Sequence, residues 1–200
     1  MSDTTVDIID ELSGVGADTA LDQVRRRRPV TREQLQASHD ALFAPLDDAE
    51  FPRAERLLIA AFATRLTADD ATAAYYADAA ADIDPARASV VIAEAAGHSA
   101  EGPFGRYHEA GLAQESTDGP RYAAGESVVE AIGSRLAAGL DHAHLLVYRP
   151  REASGADLDA LVASGWTVDS IVTLSQLVAF LAFQQRVAAG LRVLSAEVAA

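Results

Sequence analysis

Asp141-His-Ala-His144 is the one place in this 200-residue sequence where two histidines lie close together. Histidine titrates near neutrality, so it is the side chain best suited to take and return a proton. On a helix, side chains two positions apart point about 200° away from each other, so His142 and His144 do not chelate one metal. Asp141 and His144, three apart, share a face. The pair reads either as a helix-face ion pair or interface histidine, or with His144 as the general-base candidate. Arg186 is a second candidate. It follows a largely apolar stretch and Gln184-Gln185. Buried there it requires a carboxylate, supplied either by a structural partner or by an anionic ligand.

Missing residue types exclude whole mechanisms. The chain has no cysteine, no lysine and no asparagine, and 43 of its residues are alanine. Without cysteine there is no disulfide, thiolate nucleophile, iron–sulfur cluster or Cys-ligated zinc. Without lysine there is no Schiff base and no P-loop lysine. No metal and no cofactor are expected. The net charge of −14 opposes nucleic acid and anionic membranes. Arg25–Arg28 tempts the opposite reading, but four cations before Pro29 complement a helix C-terminus, and acids surround them. They serve the helix or dock an acidic partner. The acidic start MSDTTVDIIDELSG lacks a signal peptide's basic and apolar regions. The longest uncharged stretch, Ser170 to Gln185, is 16 residues and holds several polar side chains, too short and polar for a membrane span. The expectation is a cytoplasmic protein with neither nucleic acid nor membrane as partner.

The elements that must position these residues are helical nearly throughout. Helices are expected over about Val6–Leu12, Thr19–Arg28 with Asp18 as N-cap, and Thr31–Phe43 from a Thr-Arg-Glu-Gln capping box. Pro52 opens a helix to Leu66, Thr67-Ala-Asp-Asp70 reads as the N-cap of one to Ala81, and Asp84-Pro85 starts one to Ala96. From 98 to 125 the periodicity fails, and a long irregular arm is expected. One helix then runs Ser127–Val147, and Tyr148-Arg-Pro150 breaks it. Ser154, with Asp157 at the third position, caps a short helix ended by Gly165. Thr167 caps the last helix, Val168 to about Ala196. No segment alternates with a period of two, so the class is all-α. A single helical domain over 1–200 is expected: N-terminal helices 1–45, a first helical half 46–97, the arm 98–125 and a second half 126–200.

The last helix carries Ile171, Leu174, Leu177, Val178, Leu181 and Val187 on one stripe, with Phe180 and Phe183 on other faces. A helix apolar nearly all round must be buried. Packing against another subunit is the simple solution, so a homo-oligomer is expected.

The run Leu146-Val-Tyr-Arg-Pro150, Ala156-Asp-Leu-Asp-Ala-Leu161, Gly165-Trp166, Asp169-Ser-Ile171 and Phe180–Arg186 has a recognisable cadence. It resembles the alkylhydroperoxidase D-like, or carboxymuconolactone decarboxylase-like, superfamily. Arg53-Ala-Glu55-Arg-Leu-Leu-Ile-Ala60 resembles the helix before that family's catalytic motif. The resemblance covers about residues 40 to 195 and implies a helical bundle that assembles as a trimer or higher ring. The family's peroxidases carry a glutamate and, about twelve residues on, Cys-x-x-Cys-x-x-x-His. From Glu55 that spacing lands on Thr67, Asp70 and Ala74. Both sulfurs and the histidine are gone, so the thiol peroxidase cycle does not transfer. Glu55 matches the relay glutamate, or is a first-turn acid at a helix N-terminus. Tyr75 and Tyr76, beside the lost motif, fill space there, and Tyr75 is a candidate ligand contact. The resemblance leaves three roles: a non-catalytic subunit or scaffold, for instance beside a cysteine-bearing relative; a cysteine-independent acid–base enzyme on a small unsaturated lactone or carboxylic acid; and a binder of a small molecule in a helical pocket.

Overall fold

The computed structural model describes the backbone of residues 7–199 and the side chains of 7–197. Among the described residues there is no named strand, and the fold is all-α. Two compact units are present. One is the chain up to Asp47 with the stretch from Phe183 onward; the other is Asp48–Ala182.

The first unit starts with α1 (Ile8–Ser13), α2 (Ala20–Arg26) and α3 (Pro29–Phe43). The Asp7 carboxylate accepts from the Ile9 and Asp10 N–H groups, and Gly14, at φ 70°, ends α1 in the left-handed conformation. Val6, the expected start of α1, lies outside the described residues. Two expected boundaries are corrected. Thr19, not Asp18, caps α2: its hydroxyl accepts from Asp22 N–H, while Asp18 sits at φ 61° in the turn before. Pro29 does not merely end α2; its fixed φ makes it the first residue of α3, two positions before Thr31. Half of the arginine run is paired within this unit, and Arg32 joins the same carboxylates. Arg25 pairs with Asp7 and Asp10, and Arg26 with Asp22 at 2.8 Å. Arg32 reaches Asp7, Asp10 and Asp22.

The second unit holds α4 (Arg53–Thr67), α5 (Ala71–Ile83), α6 (Pro85–Gly97), α7 (Glu126–Ile132), α8 (Ser134–Tyr148) and α9 (Gly155–Ala163). It also holds the first part of α10 (Val168–Ala199). α4 is buried on every face from Arg56 to Thr64 and packs against α5, α6 and α8. Its alanines at 60, 61 and 63 keep it thin, so three helices approach it closely. The expected caps are present. Asp70 accepts from Thr72 and Ala73, Asp84 accepts from Arg87 ahead of Pro85, and Ser154 with Asp157 forms a capping box.

One long helix was expected over Ser127–Val147, and the chain instead breaks it. Gly133 takes φ 88°, a region costly for residues with a Cβ, and separates α7 from α8. The connection 98–125 is irregular as expected. Gly105 and Thr117 exchange two backbone hydrogen bonds of 2.8 and 3.3 Å, and Ala110–Glu115 forms a 3₁₀ turn.

The N-terminal end of α8 is fixed by Arg135. Its guanidinium donates to the Gly165 and Glu50 carbonyls and pairs with Glu55 at 3.2 Å. It also lies 4.3 Å from the Trp166 ring, whose Nε1–H donates to the Arg135 carbonyl. On α10, Ile171, Leu174, Leu177, Val178 and Leu181 are buried as the stripe requires. The expectation of burial all round is corrected: Val172 and Phe183 are half exposed. Val168–Glu197 is long and apolar enough to cross a membrane by length and composition, a test that the core helix of a water-soluble protein also passes.

Candidate functional site

Within the second unit a cavity of about 370 Å³ opens between α8, α9 and the end of the irregular connection. Asp141, His142, His144 and Arg149 line it from α8 and the residue that follows. Asp157 and Ser164 face them from α9 and its C-cap, and Arg121 and Tyr122 close it from the connection. Asp141 and His144 therefore share a face and a cavity, as their spacing requires. His142 lines the same cavity, although it lies two positions away; the wall is wide enough to take both flanks of the helix.

His144 is 1% exposed, and its Nε2 is buried without a hydrogen-bond partner. Three rings enclose it or its neighbour. Tyr122 stacks on His144 with centroids 5.4 Å apart, Tyr148 meets it edge-on at 4.9 Å, and His98 meets Tyr122 at 4.8 Å. Burial, helped by the nearby His98 and Arg149, lowers the His144 pKa to about 4. The ring is thus neutral at pH 7. Burial also lowers His142, against the pull of Asp157, and both His142 nitrogens lack partners. Burial raises the Asp141 carboxyl, only partly offset by the Ala124 N–H that donates to it at 2.8 Å. Burial thus acts oppositely on the two groups, raising Asp141 and lowering His144.

The surroundings hold these groups in place. The Tyr122 hydroxyl donates to Glu94 Oε2 at 3.0 Å, and burial and that carboxylate push its pKa upward, so it stays a donor. The Tyr148 hydroxyl donates to the Leu66 carbonyl at 2.5 Å and accepts from Ala100 N–H at 2.7 Å. Arg149 grips Glu152 through Nε and Nη2, at 2.7 and 2.8 Å, and donates through Nη1 to the Gly119 carbonyl. Glu152 accepts in turn from Arg106 N–H and from Arg121. Burial acts upward on Glu152, but Arg149, the Arg106 N–H and Arg121 outweigh it and keep the carboxylate charged. The irregular connection is thereby fastened to the end of α8, and Tyr122 is laid over His144.

The other candidates lie elsewhere. Glu55 bonds Arg135, nine positions before His144 on the same helix, about 13 Å along its axis. The pair Glu55–His144 is not brought together. Thr67 ends α4 with its hydroxyl on the Ala63 carbonyl, Asp70 caps α5, and Ala74 is exposed on α5. The positions matching the lost motif do the work of a helix–helix turn. Tyr75 packs edge-on against the fully buried Tyr76 at 5.1 Å and does not line the cavity. Arg186 was expected in a buried setting, and it is exposed. Tyr122, Arg149, Glu152 and Glu94 were missed. The Tyr148-Arg-Pro150 break was the only local signal pointing to any of them.

No group of three or more His, Asp or Glu among the described residues is arranged to hold a metal ion. No family model matches the chain, and comparison with curated proteins finds no match either.

Proposed function

We propose that the protein is a cysteine-independent acid–base enzyme acting on a small unsaturated lactone or carboxylic acid, bound in the cavity between α8 and α9. One observation carries this reading. Asp141 and the neutral, buried His144 share one face of α8 and open onto a polar cavity of about 370 Å³. A scaffold has no need of such a space: a degenerate site fills with apolar side chains, because an empty or half-satisfied polar pocket is destabilising. His144 takes a proton from a substrate carbon, whose electron pair passes into the conjugated carbonyl; the proton moves on to the Asp141 carboxylate, which returns it to a second substrate carbon, so both groups end as they began. Ser164 and Arg121 border the cavity and contact the substrate's oxygens. The resemblance to the superfamily, through its decarboxylase branch, implies the same substrate class.

The test is a panel of five-membered unsaturated lactones and their open-chain acids, followed by loss of conjugated ultraviolet absorbance. His144→Ala and Asp141→Asn each lower kcat/KM on the accepted substrate by about 10²-fold, the scale of general acid–base catalysis. His108→Ala, outside the cavity, leaves it unchanged. Absence of turnover across the panel, with no movement of the His144 ring resonances on adding the lactones, overturns the proposal.

A further inference from the structure

His142 is 5% exposed, lines the cavity between α8 and α9, and has no hydrogen-bond partner on either ring nitrogen. The proposed reaction does not use it. Burial keeps the ring neutral, so it presents one N–H donor and one lone-pair acceptor. A buried polar group left unpaired is costly, and a ligand that pairs with it recovers that cost. Across the cavity, Asp157, Ala160, Leu161 and Ser164 line the facing wall from α9 and its C-cap. Asp157 and Ser164 are seven positions apart, so they share a face about 10 Å apart along the helix axis, with the apolar Ala160 and Leu161 between them. That wall is polar at both ends and apolar in the middle. Asp157 Oδ2 accepts from the Ser154 N–H and hydroxyl at 2.8 and 2.7 Å. No group among the described residues donates to its Oδ1. The Asp157 charge acts on His142, yet no hydrogen bond joins the two.

We propose that the substrate carries an uncharged hydroxyl held between His142 and Asp157, and that these two residues select a hydroxylated unsaturated lactone over a carboxylated one. A hydroxyl donates to Asp157 Oδ1 and accepts from the His142 N–H. A carboxylate in the same place meets the Asp157 charge and has no proton to share with it. A cation is opposed as well: Arg149 and Arg121 both line the cavity and share the single carboxylate of Glu152, which leaves a net positive charge on the wall. The apolar part of the lactone ring lies against Ala160 and Leu161, and its carbonyl oxygen reaches Ser164. This inference rests on the substrate class proposed above and adds the group that decides among its members. His142 selects the substrate and moves no proton.

The test titrates the full chain with three butenolides that differ only in the substituent on the saturated ring carbon: hydroxymethyl, methyl or carboxymethyl. The His142 and His144 ring resonances report the dissociation constants by NMR. The hydroxymethyl compound binds at least about tenfold tighter than the methyl one, which leaves His142 unpaired. The carboxymethyl compound binds weakest. In His142→Phe, read at His144, the hydroxymethyl and methyl compounds bind within about twofold of each other. Asp157→Asn, which keeps an oxygen for the Ser154 cap, tightens the carboxymethyl compound by about tenfold. If His142→Phe does not fold, the wild-type order and Asp157→Asn decide. A methyl compound that binds as tightly as the hydroxymethyl one, a carboxymethyl compound that binds tightest, or a preference that survives His142→Phe overturns this inference and leaves the proposed reaction standing. The expected order of binding without turnover of any of the three overturns the reaction instead. Binding by none of them overturns both.

Discussion

Tyr122 lies over His144 with ring planes 29° apart and centroids 5.4 Å apart. One residue comes from an irregular connection and the other from the middle of a helix. Tyr122 covers one face of the imidazole, and desolvation is the largest influence on its proton affinity. Uncovering the ring therefore changes its chemistry without touching it.

Tyr122→Ala raises the His144 pKa from about 4 toward the ordinary value by about one unit. Tyr122→Phe keeps the cover and leaves it low. Titration of the histidine ring protons by NMR reads both. Equal values in wild type and Tyr122→Ala refute the role assigned to the stacking.

Stability depends on pH through the same ring. The unfolded chain protonates His144 near 6.5, and the folded chain only near 4. Above 6.5 both states are neutral and nothing is lost. As the pH falls from 6.5 toward 4, the unfolded state alone gains the proton, and folding weakens by up to about 3 kcal/mol. His142, lowered in the same way, adds to the loss. Asp141, raised by burial, acts with the opposite sign, because its folded form holds a proton that the unfolded form has released. Urea midpoints at pH 7.5 and 4.5 check this: the difference shrinks in His144→Leu. A midpoint independent of pH in the wild type contradicts it.

Much of the helical frame was legible from local chemistry, because Asp70, Asp84 and Ser154 announce helix starts with their own side chains. Gly133 was not legible as a break. A lone glycine inside a helical pattern costs only about 1 kcal/mol, and its positive φ is decided by how α7 and α8 pack. Asp141 and His144 were found because their spacing alone puts them on one face. Tyr122 was invisible for the opposite reason: it sits where no periodicity exists, and its partners Glu94 and His144 are 28 and 22 positions away. Glu55 was misplaced because the arginine that takes it, Arg135, is 80 residues distant.

Glu152→Gln releases the irregular connection. Arg149 keeps a weaker acceptor for its buried guanidinium, and the charge-assisted bonds to Arg149, Arg106 and Arg121 are lost together. The expected loss is about 2 kcal/mol in urea unfolding. Hydrogen exchange rises over 100–122 while α4 is unchanged. Arg121→Ala, whose side chain is largely exposed, costs under about 0.5 kcal/mol. If the two variants are alike, Glu152 is not the fastening point.

Gly139→Ala tests the close approach of α8 to Trp166. A methyl group there meets Trp166 Cζ2 at 2.8 Å and Ile59 Cδ1 at 3.2 Å. Alanine favours the helix by about 1 kcal/mol, but overpacking costs about 1–3 kcal/mol, so the variant is less stable. Thermal unfolding, with Trp166 fluorescence as the second readout, decides the sign. A stabilised variant shows that the indole moves aside freely.

The chain from Leu57 to Ala63 is at most 3% exposed, and two of the helices that cover it, α5 and α6, follow at once in sequence. Their connections are a few residues long, so closing them costs little chain entropy. Residues 53–97 thus have every condition for assembling early, from neighbours in sequence. α8 reaches the same helix only across the connection 98–125. It alone brings Asp141 and His144 to that surface. A molecule stopped partway has a complete three-helix foundation and no cavity, so its helix content rises before its chemistry exists.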